Sequence, residues 1–156
     1  MQDMSANRKH RRPLRLEEFL PYRLSLLSNT VSGVIASTYE DKFGISMPEW
    51  RIMMMLAEYP GIAAEEICRR TRIEKSVVSR ALARLLKRRL VTRETSAQDR
   101  RRQVLHLTET GLAVYDEVMP VAREYERQLL RGLNAADRAA LDRLLDALQE
   151  RADELR

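Results

Sequence analysis

Apolar residues recur every three or four positions over much of this chain, which is the spacing of one face of an α-helix. The first such stretch predicts a long helix over residues 16–42. Pro21 must lie in its first turn or before it, because proline has no amide hydrogen to donate inside a helix. Gly44 is placed to end this helix in a left-handed conformation. The apolar positions of the predicted helix include Leu20, Leu24, Leu27, Val31, Val34, Ile35 and Tyr39.

The middle of the chain predicts shorter elements. Ser46 and Glu49 have the spacing of a capping box, in which each side chain accepts a hydrogen bond from the other's backbone amide, so a helix begins there. Pro60-Gly61 ends that helix. Two later segments rich in Val, Thr and Leu flank a polar basic loop, which is the pattern of a β-hairpin. The elements predicted after the capped helix are helices at 63–70 and 75–88, joined by a tight turn at 71–74, and strands at 90–95 and 103–108.

Two further helices are predicted towards the C-terminal end. Thr108 is an N-cap for a long helix that reaches about Leu133, and Pro120 is expected to kink it. Asn134 caps the last helix, and Asp137 is placed favourably in its first turn. The apolar stripe of the last helix consists of Leu141, Leu144, Leu145, Leu148 and Leu155. These patterns predict a fold that is mainly α with a small β-hairpin.

Composition narrows the class of protein. The chain has 156 residues, of which 44% are hydrophobic, and this is enough for one domain with a packed core. A single cysteine excludes a disulfide framework within the chain. The sequence contains no apolar run of about 18 residues, so it predicts no transmembrane helix. Residues 1–15 lack the apolar region of a signal peptide. We therefore expect a soluble, cytoplasmic protein with no membrane partner.

The net charge of +5 is distributed unevenly. Residues 69–103 carry 13 basic and three acidic side chains, whereas the segments on either side, 16–68 and 104–156, are net acidic. Residues 1–13 are predicted to be a disordered basic arm. A block as basic as 69–103 is typical of a site for a polyanion. The alternative is a solvated helix face, which is the usual role of a charged run.

The helix predicted at 75–88 has two distinct faces. Its apolar residues fall on one half of a helical wheel, and small or basic residues fall on the other. Small side chains allow close approach to a DNA groove, and arginine can bind guanine through two hydrogen bonds. Two helices joined by a tight turn predict a helix-turn-helix, and the basic hairpin predicts a wing whose arginines suit the narrow minor groove. The predicted DNA contacts are Lys75, Ser76, Ser79, Arg80, Lys87, Arg100, Arg101 and Arg102. RNA is less favoured, because no aromatic residue lies within the basic block.

These motifs resemble the MarR family of winged helix-turn-helix regulators over roughly residues 24–133. The segments that carry the resemblance are Pro48-Glu49-Trp50-Arg51-Ile52, residues 74–80, residues 90–93 and, most specifically, Asp99-Arg100-Arg101-Arg102 with Gly111 after it. The resemblance implies a homodimer in which the first and the last two helices interlock. The implied domains are the arm at 1–13, an N-terminal dimerisation helix at 14–45, the winged helix-turn-helix at 46–108 and C-terminal dimerisation helices at 109–156.

The resemblance also assigns roles within the wing and beside it. It implies that Asp99 orients Arg101, which would enter the minor groove; the alternative is that Asp99 only caps the turn. The family often has glycine where this chain has Arg89. We therefore expect Arg89 either to adopt a left-handed conformation, at a cost of about 1 kcal/mol, or to end its helix differently.

Regulators that resemble this chain sense small aromatic or amphipathic compounds beside the dimerisation helices. At the corresponding positions this chain has apolar side chains that could form a wall of the site, and arginines that can hold a carboxylate or phosphate. The implied ligand-binding residues are Arg23, Ser28, Ser32, Trp50, Arg51 and Met54. The alternative is that these side chains only pack between helices. Similarity to regulators of aromatic-acid catabolism suggests an aromatic carboxylate or an aryl-CoA thioester as effector.

Nothing in the sequence indicates catalysis. No nucleophile with a base, no glycine-rich phosphate loop and no metal-ligand spacing is evident, and we expect no cofactor. His10 and His106 are too dispersed to make a metal site with Cys68. We interpret Cys68 as a small core residue, with redox sensing as the alternative because Arg69 and Arg70 could lower its pKa.

The sequence therefore predicts a ligand-responsive, dimeric transcriptional repressor that binds a pseudo-palindromic operator and is not an enzyme. Two alternatives stay open: an architectural DNA-binding protein that needs no ligand, and a helical module whose basic block binds an acidic protein.

Overall fold

The computed structural model describes residues 14–156; the predicted basic arm and His10 lie outside the described residues. Helices dominate, and one antiparallel hairpin interrupts them, which confirms the predicted fold class. In chain order, a 3-10 turn at Leu16–Glu18 is followed by α1 (Leu20–Phe43), α2 (Met47–Glu58), α3 (Ala64–Thr71), α4 (Lys75–Lys87), β1 (Val91–Thr95), β2 (Gln103–Leu107), α5 (Glu109–Leu129) and α6 (Ala135–Glu154).

Two predicted helix limits were wrong. α1 begins at Leu20 rather than at residue 16, because Pro21 is tolerated only in the first turn of a helix. α5 continues through Pro120 but stops at Leu129, short of Leu133. Beyond that end, the Arg138 guanidinium donates to the carbonyls of Leu130 and Leu133 at 3.0 and 3.1 Å. Arg138, in the first turn of α6, thus donates hydrogen bonds to backbone carbonyls of the turn that follows α5.

The predicted caps are confirmed. Ser46 and Glu49 form the reciprocal capping box at the start of α2. Thr108 Oγ1 and Asn134 Oδ1 accept hydrogen bonds from amides in the first turns of α5 and α6, at 3.0 and 2.8 Å. Gly44 ends α1 with a φ of 59°. Each cap depends on residues at most four positions apart, which is why the sequence predicts them reliably.

The core lies among α2, α3, α4, the hairpin and the first half of α5. Trp50 is buried between Tyr39 of α1 and Tyr115 of α5, with ring centroids 5.3 and 5.8 Å away. This stack connects three helices. The fully buried aliphatic residues include Ile52, Met53, Leu56, Ile67, Val78, Leu85, Leu105 and Val118.

The hairpin is attached to the helices at its base. β1 and β2 pair with Val91 opposite Leu107 and Arg93 opposite Leu105. Ile62, in the loop between α2 and α3, forms a further bridge to Leu105. The base of the hairpin is therefore fixed to the helix-turn-helix, and only its far end projects.

Apolar faces of α1 and α6 are uncovered in the single chain. α6 has no buried residue, and Leu144 and Leu145 are about half exposed, at 51% and 49%. On α1, Leu27 and Val34 are similarly exposed, at 57% and 48%. Exposed apolar faces of this kind are typical of an interaction site. No helix within residues 14–156 combines the length and the apolar character needed to cross a membrane.

Arg89 ends α4 in the left-handed conformation, with a φ of 57°. Its amide donates to the Leu86 carbonyl and the Leu90 amide donates to the Leu85 carbonyl, both at 3.0 Å. These two bonds define a Schellman motif, in which glycine is preferred. Of the two possibilities that the sequence leaves open, the structure therefore shows the strained one.

We expect Arg89→Gly to raise the free energy of unfolding by up to about 1 kcal/mol, because glycine adopts this conformation without strain. Urea unfolding of the full chain measures the change. Arg89→Ala keeps the strain and removes the charge, so its stability should stay close to that of the parent. A large loss of both stability and DNA affinity in Arg89→Gly would contradict the prediction.

Candidate nucleic-acid interface

The polar face of α4 is exposed to solvent. Its predicted contact residues Lys75, Ser76, Ser79, Arg80 and Lys87 are all exposed, while the opposite face packs into the core. α3 precedes it and is followed by its C-cap residue Arg72, whose amide donates to the Cys68 carbonyl at 2.9 Å and whose φ is 57°. The left-handed residue reverses the chain within a few positions. This is the helix-turn-helix arrangement, with α4 as its recognition helix.

The wing tip is a closed loop with three exposed arginines, Arg100, Arg101 and Arg102. The Ser96 amide donates to the Arg102 carbonyl, and the Arg102 amide donates to the Asp99 carbonyl, both at 2.9 Å. None of the three guanidinium groups pairs with a carboxylate among residues 14–156. The loop thus presents three side-chain charges on a backbone that its own hydrogen bonds hold in shape.

Asp99 makes the turn contact that the sequence leaves open as the alternative. Its Oδ1 accepts a hydrogen bond from the backbone amide of Arg101 at 3.0 Å, and no ion pair joins the two side chains in the described part of the chain. An aspartate that bonds the amide two residues on is a common turn-forming contact. Asp99 therefore shapes the turn from which Arg101 projects, through a contact with the main chain and not with the guanidinium.

The basic block divides into paired and unpaired side chains. Arg69 and Arg70 bind Glu66, and three further arginines have partners elsewhere in the fold. Those three are Arg72, Arg84 and Arg88. The other basic residues of the block make no side-chain ion pair within residues 14–156; they are Lys75, Arg80, Lys87, Arg89, Arg93, Arg100, Arg101 and Arg102. All six basic residues predicted to contact DNA belong to this unpaired set.

The C-terminal half of α4 is held by Arg84 and Arg88. Arg84 Nε lies 3.2 Å from Oε1 of Glu49, whose side chain is only 3% exposed. Arg88 donates to the carbonyls of Phe43 and Gly44 at 2.5 and 3.1 Å, at the negative end of the α1 dipole. These arginines position the recognition helix against the junction of α1 and α2. Charge alone does not distinguish them from the predicted DNA contacts.

Glu49 is ionised at this junction in spite of its burial. Burial raises its pKa, but hydrogen bonds from Ser46 and the guanidinium of Arg84 outweigh that effect and hold the pKa below its usual value. A carboxylate with a lowered pKa stabilises the folded state above its unfolded pKa, and that stability is lost as pH falls through the lower folded value. The contact between α2 and α4 is therefore favoured at neutral pH.

A second link joins the helix-turn-helix to α6. The two terminal guanidinium nitrogens of Arg72, Nη1 and Nη2, donate to the Asp153 carboxylate at 2.5 and 2.6 Å. Gln149 also donates to Asp153 at 3.1 Å. Such a two-pronged pair fixes direction as well as distance. The turn before the recognition helix is thereby tied to the C-terminal helix.

The residues predicted to bind an effector have different environments. Trp50 is enclosed in its aromatic stack, and Met54 is half-buried against the core. Ser32 and Arg51 are half-buried, whereas Arg23 and Ser28 on α1 are exposed. A cavity of about 400 Å³ between α1, α5 and α6 is lined by other residues, among them Val31, Ile35, Tyr125, Leu141 and Leu145.

Cys68 is half-buried at the edge of the core. It lines a cavity of about 280 Å³ between α3, α4 and β1. His106 lies on β2 with Nε2 3.8 Å from Glu94. Residues 14–156 contain no group of three or more His, Cys, Asp and Glu side chains arranged to hold a metal ion.

A recognition helix with small and basic exposed residues, followed by a hairpin with a basic tip, defines a winged helix-turn-helix protein. Residues 43–102 match the sequence model of the MarR family. The winged helix-turn-helix segment of this chain is therefore similar to the MarR family, as its motifs predict.

Three relatives show what the chain is similar to. The HTH-type transcriptional repressor NicR of Pseudomonas putida is 32% identical over 51% of this chain and 51% of its own length, so the match spans about half of NicR. A MarR/EmrR family transcriptional regulator from Acinetobacter sp. ADP1 superposes with a TM-score of 0.82 at 27% identity, over 90% of this chain and 99% of that one. BpsR of Bordetella bronchiseptica, whose DNA binding is regulated by 6-hydroxynicotinic acid, shares the fold with a TM-score of 0.75 at 23% identity, over 88% of this chain and 97% of its own. These relatives are regulators and not enzymes.

Proposed function

We propose that this protein is a transcriptional repressor that binds operator DNA as a homodimer and releases it when a small aromatic acid binds. The observation that carries the proposal is the division of the basic residues at 69–103 into side chains with partners inside the protein and side chains without them. Arginines at the helix junctions are paired internally, while the unpaired cations lie on the recognition helix, at its end and on the wing. Cations without internal partners are those that can neutralise phosphates.

In this proposal the exposed face of α4 enters a major groove and the wing enters the adjacent minor groove. Ser76, Ser79 and Arg80 would face the bases, and Lys75 and Lys87 would bind phosphates at either end of the helix. Arg101 would enter the minor groove, with Arg100 and Arg102 beside it, because a narrow minor groove concentrates negative potential. A symmetric dimer then implies a pseudo-palindromic operator.

The homodimer is supported by the uncovered apolar faces of α1 and α6. Each face would be buried by the same elements of a second copy, which is how a two-fold interface works. The Arg72–Asp153 pair and the Arg88 contacts connect these helices to the recognition helix. A change in the dimer frame would therefore move the two recognition helices relative to each other.

The effector is proposed to lie where α1 and α2 meet. Arg51 and Arg23 would hold a carboxylate, while Met54, Ser32 and Ser28 would line the site. Trp50 would act by holding this wall in place, since its own ring is enclosed. BpsR, whose DNA binding is regulated by 6-hydroxynicotinic acid, supports this class of ligand.

A thermal-shift screen of aromatic acids and their CoA thioesters, followed by DNA-release assays at fixed salt, tests the proposal. A ligand present at 100 times its Kd stabilises the folded state by about 2.7 kcal/mol. We therefore expect a rise in melting temperature of roughly 5–10 °C for a chain of this size. The same compound should release a DNA duplex that the protein has selected from a random pool.

Other outcomes would overturn parts of this proposal. Selective DNA binding that no tested ligand weakens would favour an architectural protein. A failure to bind any duplex selectively near physiological salt would favour a module that binds an acidic protein. Light scattering that gives a monomer at micromolar concentration would contradict the dimer.

A further inference from the structure

Arg93 lies on β1, between the recognition helix and the wing tip. Its strand partner is Leu105, which is 1% exposed and faces the helices. Paired residues of a hairpin share one face of the sheet. Arg93 therefore lies on the helix-facing side of β1, yet it is exposed to solvent because β1 leaves the core at this point.

Two neighbouring cavities share Arg93 in their walls. One, of about 280 Å³, extends towards Lys75 and Ser79 of α4. The other, of about 290 Å³, extends towards Arg101 and Arg102 of the wing. Arg93 is thus the basic residue common to the crevices beside both predicted DNA-contact elements.

A protein that occupies a major groove and the adjacent minor groove must span one sugar–phosphate strand between them. Residues located between the two elements face that strand rather than base edges. Arg93 has this location, and its guanidinium has no carboxylate partner within residues 14–156. We propose that Arg93 binds a phosphate of the strand that separates the two grooves; this inference rests on the proposed function.

Glu65, in the first turn of α3, lines both cavities but makes no ion pair with Arg93 in the described chain. A phosphate bound at Arg93 would lie near the negative charge of Glu65, which would oppose binding by electrostatic repulsion. Arg93 would therefore attract the DNA strand, and Glu65 would reduce the net attraction. Neutralising Arg93 should lower the affinity for DNA, and neutralising Glu65 should raise it.

The test compares Arg93→Gln and Glu65→Gln in the full chain. Fluorescence anisotropy would measure affinity for a duplex selected from a random pool by the parent protein, and for a scrambled duplex, across a series of NaCl concentrations. We expect Arg93→Gln to weaken binding to both duplexes by the same factor and to reduce the slope of log K against log salt by about 0.9, the value for one phosphate. Glu65→Gln should strengthen binding to both duplexes.

Arg127→Gln is the matched control, because Arg127 is an exposed arginine on α5 that pairs with Glu124 far along the chain from the interface. It should leave the slope unchanged. A loss confined to the selected duplex would show that Arg93 reads a base and would overturn the phosphate assignment, as would an unchanged slope. These results concern the Arg93 variant and leave the proposed function intact. A parent protein that binds no duplex selectively would instead contradict the proposed function itself.

Discussion

Replacing Arg101 with alanine is expected to weaken binding to the selected duplex by roughly 5- to 150-fold, equivalent to about 1–3 kcal/mol. A guanidinium inserted in a narrow minor groove makes its contacts only in the complex. In the free protein the Arg101 side chain is exposed and has no ion-pair partner within residues 14–156. The melting temperature should therefore stay the same. Anisotropy titration and calorimetry measure the two quantities.

Substitutions of Asp99 separate its two possible actions on Arg101. Asp99→Asn keeps an oxygen that can accept the Arg101 amide, whereas Asp99→Ala removes it. If Asp99 works by shaping the turn, only Asp99→Ala should lose affinity. Equal losses would favour a direct carboxylate–guanidinium contact in the complex. An unchanged affinity in Arg101→Ala would show that the wing assignment is wrong.

Gly111→Ala is expected to reduce the free energy of unfolding by about 3 kcal/mol or more. A Cβ at this position would lie 2.1 Å from the Leu90 carbonyl oxygen and 3.1 Å from its carbon. That oxygen accepts the Thr108 amide at 3.1 Å, so it is fixed where the hairpin meets α5. Relief requires a backbone shift, which moves the base of the wing. Urea unfolding should show the loss, with a melting temperature lower by roughly 6–12 °C.

Gly132→Ala is the matched control, because a Cβ there has no neighbour within 4 Å. Gly132 is exposed in the turn between α5 and α6, and its substitution should change stability by less than about 0.5 kcal/mol. A Gly111→Ala protein as stable as Gly132→Ala would contradict the close approach of α5 to Leu90.

Local patterns were sufficient for the secondary structure and for one face of the recognition helix. The caps at Ser46, Thr108 and Asn134 depend on neighbours three residues away, and a period of 3.6 residues separates the exposed Ser79 and Arg80 from the apolar side of α4. Both kinds of signal are contained in a few consecutive residues. The match to the MarR family model covers the same segments, because they carry its motifs.

The roles of individual charges were not available from the sequence. Arg84 and Arg80 lie one turn apart on α4, yet only Arg84 meets a buried carboxylate, 35 residues earlier in the chain. Arg72 and Asp153 are separated by 81 residues. An ion pair forms only where two groups lie within a few ångström, and sequence spacing does not give distances between elements.

The sequence by itself therefore determined the helices, the hairpin, the basic block and the resemblance to the MarR family. Only the tertiary structure decided which arginines of that block are used internally, that Trp50 is a core residue, and that Gly111 lies against Leu90. Helical and strand periodicity is a property of neighbouring residues, whereas burial, close contact and charge pairing depend on how distant segments pack together.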